Sequence, residues 1–212
     1  MSLRDSENMW VLGGFLGAVA LIAALVLAWV SGLTADPIKA AKENNRNKML
    51  LHLQLPDFDR AGKTVVIDGV GFCTLYQENE PVGFVGQGIT RQGYAGEIEA
   101  MVGIGFDGKI TTVQILRHKE TPGLGANVCD RKFQRNIANL AEKAPEIPQN
   151  NFLDQFNGRD AGTAGAWKIS KDGGEIEYRT GATVSSRAIT LLVNDIAKVF
   201  AANRVKIQEE SK

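Results

Sequence analysis

The chain has 212 residues, room for one ordinary domain or for a domain with an anchor. Basic and acidic side chains balance at 24 each, so the basic excess of a nucleic-acid binder is missing, and two cysteines are too few for a disulfide framework. Its 23 glycines exceed the roughly 15 of average usage without a collagen period, which leaves a globular domain of strands and tight turns.

After a short tail, residues 1–8, the run Met9–Leu33 carries no charge. As a helix it spans about 38 Å, enough to cross a ~30 Å hydrocarbon core with tilt. Trp10 and Trp29 stand near its ends, where indoles favour the headgroup level. Gly13, Gly14, Gly17 and Ala18 form a small-residue face that can seat another helix. The run is too long for a signal-peptide core, and MSLRDSEN carries one Arg against Asp5 and Glu7, so it reads as a retained single span. Lys39, Lys42, Arg46 and Lys48 follow it, which by charge alone places the rest of the chain in the cytoplasm.

Residues 34–60 read as a membrane-proximal polar helix and linker, with Pro37–Leu53 helical, and residues 61–212 as the folded domain. Phe72–Tyr76 and Val82–Ile89 read as strands about a turn at ENEP. Ile98, Ala100, Val102 and Ile104 alternate with Glu97, Glu99, Met101 and Gly103, a strand with one buried face. Asp107-Gly108 joins it to KITTVQIL as a hairpin. GIGFDG therefore reads as a turn and not a dinucleotide fingerprint, because a strand follows it. GFVGQGITRQGYAG reads as bulges and a loop. Val128–Ala144 and Asn151–Phe156 look helical, and AWKIS-KDGG-EIEYR reads as a second hairpin. The period of Ala188, Leu191, Leu192, Ile196, Val199 and Phe200 predicts a helix over Val184–Arg204. The fold class is α+β: an antiparallel hairpin sheet flanked by helices, with one N-terminal transmembrane helix.

His52 and His118 suggest no metal site, and Cys73 and Cys129 read as unbridged thiols. Two segments carry more. ETPGLG (Glu120, Thr121, Pro122, Gly123, Leu124, Gly125) makes a defined loop after a strand. TGATVSS (Thr180, Gly181, Ala182, Thr183, Val184, Ser185, Ser186) gathers hydroxyls just before a helix. Such a place suits an anion, because unpaired N–H groups and the helix dipole favour negative charge. It equally suits a plain N-cap by Thr183, Ser185 or Ser186.

With GYAGEIEAMVGIGFDGKI, RHKETPGLG and WKISKDGGEIEYRTGATVSSRAI, nearly the whole chain resembles the FMN-binding domain family. It is most similar to the G subunits of Rnf ion-translocating electron-transport complexes, with the C subunits of the sodium-translocating NADH:quinone reductase as cousins. The resemblance implies FMN held covalently by a phosphoester to Thr183, installed by a flavin transferase. It implies that ETPGLG lies against the isoalloxazine. Glu177 stands where the family's transferase pattern has Asp. It further implies an electron-carrying subunit, incomplete as an enzyme alone, that works with other membrane subunits. Their complex couples ferredoxin and NAD to sodium or proton transport from the cell's inner membrane, with this domain extracytoplasmic. A colourless assembly subunit and a free-standing membrane flavin reductase are the competing readings.

Overall fold

A computed structural model describes residues 9–51, 55–131 and 148–212. Contacts divide the chain into two units between Lys48 and Met49. The first is dominated by one helix, α1, Met9–Leu51. It does not stop after the apolar run but continues through Pro37, whose missing N–H removes one rung of the ladder. Within it, Leu12–Thr34 is long and apolar enough to cross a membrane, with a mean hydropathy of 2.4 and no part of it buried by protein. Thr34, at the end of that stretch, turns its hydroxyl back to donate to the Val30 carbonyl at 2.9 Å.

The second unit is built on an antiparallel sheet of six strands: β1 Arg60–Ala61, β2 Val65–Ile67, β3 Val70–Gln77, β4 Glu80–Gly93, β5 Gly96–Gly105 and β6 Ile110–His118. The order is β1-β3-β4-β5-β6, with β2 also paired to β3. Each step from β3 to β6 is a hairpin, so the sheet follows local sequence. The β3–β4 turn places Glu78 and Asn79 at positive φ, and the Asp107-Gly108 turn closes β5 on β6 as the sequence predicts.

Across one face lies α3, Thr183–Glu210, six residues longer at its C-terminal end than its apolar period indicates. Its seat is made by glycine. A Cβ on Gly86 would lie 2.5 Å from Ile196 Cγ2 and 2.9 Å from Phe72 Cε1. One on Gly88 would lie 3.1 Å from both Ile196 and Leu192. The stretch expected as bulges and a loop is thus mostly the long strand β4, with a register shift against β5 between Thr90 and Gly93. Phe72, Phe84, Ile98, Val102, Ile104, Val193 and Phe200 fill the core between sheet and helix. The opposite face is also covered in part. Cys73, Leu75, Val85 and Met101 form a smaller cluster there, with Leu55 and Phe58 packed against it. Met101 is therefore buried although it alternates with the main core residues.

Beyond β6 the described residues form α2, Ala126–Cys129, and 3-10 turns at Leu153–Phe156, Ala161–Thr163 and Ser170–Asp172. Most of the helix expected over Val128–Ala144 falls outside the described residues. The hairpin expected at AWKIS-KDGG-EIEYR does not form. One parallel bridge joins Ile169 to Ile176, and the backbone of Glu177 is taken by the Gln155 side chain, which donates to its carbonyl at 2.9 Å and accepts from its N–H at 2.7 Å. Asp172 at the turn holds Arg187 of α3 in a bidentate pair at 2.6 and 2.7 Å. The Gln155 side chain has claimed the Glu177 groups that a ladder would have used. Cys73 and Cys129 are both buried, and no disulfide joins them.

Candidate functional site

The end of β6 and the start of α3 carry the two segments singled out in the sequence, and the fold brings them together. After His118 the chain turns through Glu120 into a loop closed on itself: the Leu124 and Ala126 N–H groups both donate to the Thr121 carbonyl, at 3.2 and 3.1 Å. Gly123 sits at φ +80, where a side chain is strained, and a Cβ there would meet nothing within 4 Å. Thr121, Pro122, Gly123 and Leu124 are exposed, whereas Glu120 and Gly125 are buried.

The second segment shows the same division. Thr180 and Gly181 are exposed, Thr183 is half-buried, and Ala182, Ser185 and Ser186 are buried. Gly181 takes φ +83, and a Cβ on it would approach Leu124 Cδ2 to 3.2 Å, so the two loops touch there. A deeper link runs from the Ser185 hydroxyl to Glu120 Oε2 at 2.8 Å. Ser186 Oγ accepts from the Arg179 N–H at 3.4 Å, and the Ser186 N–H donates to the Ala182 carbonyl at 2.8 Å. Both serines, expected to face an anion, turn into the protein instead.

No side chain caps α3. Its N-cap is Ala182, with φ −131 and ψ 27, whose methyl side chain has no oxygen to offer. Neither Thr183, Ser185 nor Ser186 serves as the cap that the hydroxyl-rich sequence suggests. Thr183 is the first helical residue, and among the described residues its hydroxyl has no hydrogen-bond partner. The first turn of a 28-residue helix therefore ends in a positive partial charge and N–H groups that no side chain meets. Arg179, four residues before the first helical residue, is exposed.

Behind the loop lies a polar layer. His118 Nε2 lies 2.7 Å from Asp130 Oδ1, and its Nδ1 accepts from the Glu120 N–H at 3.1 Å. That second bond fixes the neutral tautomer with its proton on Nε2, donated to Asp130. Asn150 donates to the carbonyls of Asn127 and Asp130, at 3.2 and 2.8 Å, and so ties α2 to the turn at Leu153. Burial, reinforced by the charges of Glu120 and Asp130, pushes the Cys129 thiol up to about 12. A thiol so placed stays protonated and is no nucleophile. The described residues contain no group of His, Cys, Asp and Glu able to hold a metal.

Residues 93–198 match the FMN-binding domain family. Over 217 aligned residues the chain is 30% identical to the G subunit of the ion-translocating oxidoreductase complex of Shewanella baltica (strain OS223), covering 95% of this chain and 94% of that protein. The chain belongs to this family of subunits. It is also 30% identical to the corresponding protein of Shewanella amazonensis (strain ATCC BAA-1098 / SB2B), over 94% of this chain and 90% of that protein. For the G subunit of Cereibacter sphaeroides (strain ATCC 17023) the identity is 28%, over 96% and 90%. The family match opens at Gly93, the last residue of β4, and closes within α3, so it takes in both loops.

The sequence identified the two segments but not what stands behind them. Ala95, in the β4–β5 turn, donates its N–H to Glu120 Oε1 at 3.2 Å, and Asp130 fixes His118. Neither position carries a local signal. Ala95 acts through its backbone, and the pairing of Asp130 with His118 exists only once α2 folds back under β6.

Proposed function

We propose that this chain is a membrane-anchored electron carrier that holds FMN covalently, through a phosphoester between the Thr183 hydroxyl and the FMN phosphate. The observation that carries the reading is the start of α3: a hydroxyl on the first helical residue, with no partner among the described residues, beside helix N–H groups that no side chain caps. A phosphate joined to Thr183 would leave its remaining negative charge beside those N–H groups, in the favourable direction of the helix dipole. Exposed Leu124, touching Gly181, supplies an apolar surface beside the attachment point for a flat ring. The exposed face of Thr121, Pro122 and Gly123 extends it, with Thr180 and Gly181 on the other side.

FMN supplies the redox chemistry, passing electrons singly or in pairs, and the protein binds and orients it. An aliphatic hydroxyl is a poor nucleophile near neutral pH, so attachment requires an outside flavin transferase. Exposure of Glu177, Arg179 and Thr180 leaves the approach to Thr183 open to such an enzyme. The apolar stretch of α1 anchors the chain in the bilayer, and the relatives' role as subunits of an ion-translocating oxidoreductase complex points to further membrane subunits as partners. On this reading the complex draws on ferredoxin and NAD to move sodium or protons, and the folded domain is extracytoplasmic. The chain by itself does not complete a turnover.

The test is an absorbance spectrum of the protein co-expressed with a flavin transferase, denatured and washed. Flavin absorbance remaining with the chain is expected. A colourless chain would leave α3 with a bare N-terminus and favour an assembly role. Orientation is tested separately: protease added to intact spheroplasts should trim the chain to its anchor, and full protection would place the domain in the cytoplasm.

A further inference from the structure

Glu120 is the one acidic side chain of the ETPGLG loop, and it is 4% exposed. Both of its oxygens are taken by the protein. Oε1 accepts from the Ala95 N–H at 3.2 Å and Oε2 from the Ser185 hydroxyl at 2.8 Å. Its own N–H is taken by His118 Nδ1 at 3.1 Å. Two glycines make room for the carboxylate. A Cβ on Gly125 would lie 2.2 Å from Oε2 and 2.7 Å from Ser185 Oγ, and one on Gly93 would lie 2.7 Å from Oε1. Three segments distant in sequence, the β4–β5 turn, the ETPGLG loop and the first turn of α3, thus converge on one buried group.

We propose that Glu120 is a positioning residue that does not touch the flavin. It holds the ring-side loop at a fixed distance from the attachment helix. The inference rests on the flavin reading above for what the loop and helix do, but the joint itself stands on the geometry alone. The carboxylate is almost wholly covered by protein, and each oxygen already accepts a hydrogen bond from within the fold, so it presents no surface to a ligand. Removing it would strip the part-buried Ala95 bond of its acceptor and leave the buried Ser185 hydroxyl unpaired, and a buried polar group without a partner is costly enough for the loop to open. A glutamine can keep the joint: its amide oxygen accepts from Ala95, and its NH₂ donates to the Ser185 oxygen, since a hydroxyl can reverse its role.

The test compares wild type, Glu120→Gln, Glu120→Ala and Ser185→Ala in the detergent-solubilised full chain, prepared with and without the flavin transferase. Hydrogen exchange of the flavin-free chain reads the joint directly. In Glu120→Ala the amides of Ala95, Leu124 and Ala126 should exchange at least about tenfold faster while those in the middle of β5 keep their wild-type rates, as expected for a local opening. In the flavin-loaded chain, Glu120→Ala should keep flavin on the denatured polypeptide yet lose half or more of its visible circular dichroism, because the ring is no longer held in one orientation. Glu120→Gln should stay near wild type in both readouts, which a requirement for the charge would not permit. Wild-type exchange and dichroism in Glu120→Ala would overturn the proposal, as would Glu120→Gln behaving like Glu120→Ala. If Glu120→Ala loosens β5 as well, Ser185→Ala decides: faster exchange at Leu124 and Ala126 supports the joint, and unchanged exchange overturns it. A wild-type chain that carries no flavin would sink the functional reading while leaving the exchange result to judge the joint.

Discussion

Glycine serves opposite ends in two regions of this molecule. Along β4, Gly86 and Gly88 are absences filled by other residues: Ile196, Leu192 and Phe72 occupy the space a side chain would take. In the two loops, glycine supplies backbone shape, Gly123 at φ +80 with empty space beside it and Gly181 at φ +83 against Leu124. The first kind lets a helix sit close on a sheet. The second leaves a surface open on one side, with buried Glu120, Ser185 and Ser186 bracing it from behind. A glycine-rich stretch can therefore mark packing or a site, and only its neighbours in space tell which.

Alanine substitution should separate the two kinds. The largest effect belongs to Gly86→Ala. Forcing a methyl into a filled core costs about 1–3 kcal/mol, and the approach to 2.5 Å of Ile196 puts this change at or above the upper end. Urea melts of the domain would measure it. Combining Gly86→Ala with Ile196→Ala should recover part of the loss, a coupling that additive single effects would not show. Gly123→Ala meets no atom, so only its left-handed backbone resists, at about 1–2 kcal/mol. Its stability loss should be the smaller of the two in the same melts.

Leu124→Ala sharpens the comparison from the side of the site. Being 49% exposed, Leu124 contributes little to the core, and stability should change by about 0.5 kcal/mol or less. Flavin should stay attached, while its fluorescence and midpoint potential shift as the ring loses its apolar neighbour. Unchanged spectra and potential would remove Leu124 from the ring surface.

Beneath the loop, the Cys129 thiol gives an effect that is absent near neutrality. Unfolded, a thiol loses its proton near pH 9.0, and here burial postpones that to about 12. The folded state thus keeps a proton that the unfolded state releases. This group's contribution is complete below pH 9 and declines as pH rises toward 12. Cys129→Ala should flatten the alkaline fall of the urea midpoint above pH 9 and leave its value at pH 7 to the lost packing alone.

The fold was legible where one pattern had no rival. The charge-free run, the Asp107-Gly108 hairpin and the apolar period of α3 each depend on local chemistry, and all three are found. AWKIS-KDGG-EIEYR carries equally good strand signals and does turn at KDGG, but Gln155 takes the Glu177 backbone that a ladder would need, a partner that sequence distance conceals. Pro37 suggested a new helix start, yet α1 runs through it, since one missing rung does not end a long helix. At the site, both segments could be read in order. What could not be read is the division within them, because Glu120, Ser185 and Ser186 look as polar in sequence as Thr180 and Thr183, and only folding buries the first three.

Thr183 as the point of attachment is tested most directly by mass spectrometry of the tryptic peptide 180–187, TGATVSSR, which carries all four hydroxyls of the segment. Chain matured with a flavin transferase should yield this peptide heavier by FMN less one water, with fragmentation placing the added mass on the fourth residue. Thr183→Ala should yield it unmodified and abolish the fluorescent band on a denaturing gel. The added mass on Thr180, Ser185 or Ser186, or a Thr183→Ala chain that still fluoresces after denaturation, would contradict the assignment.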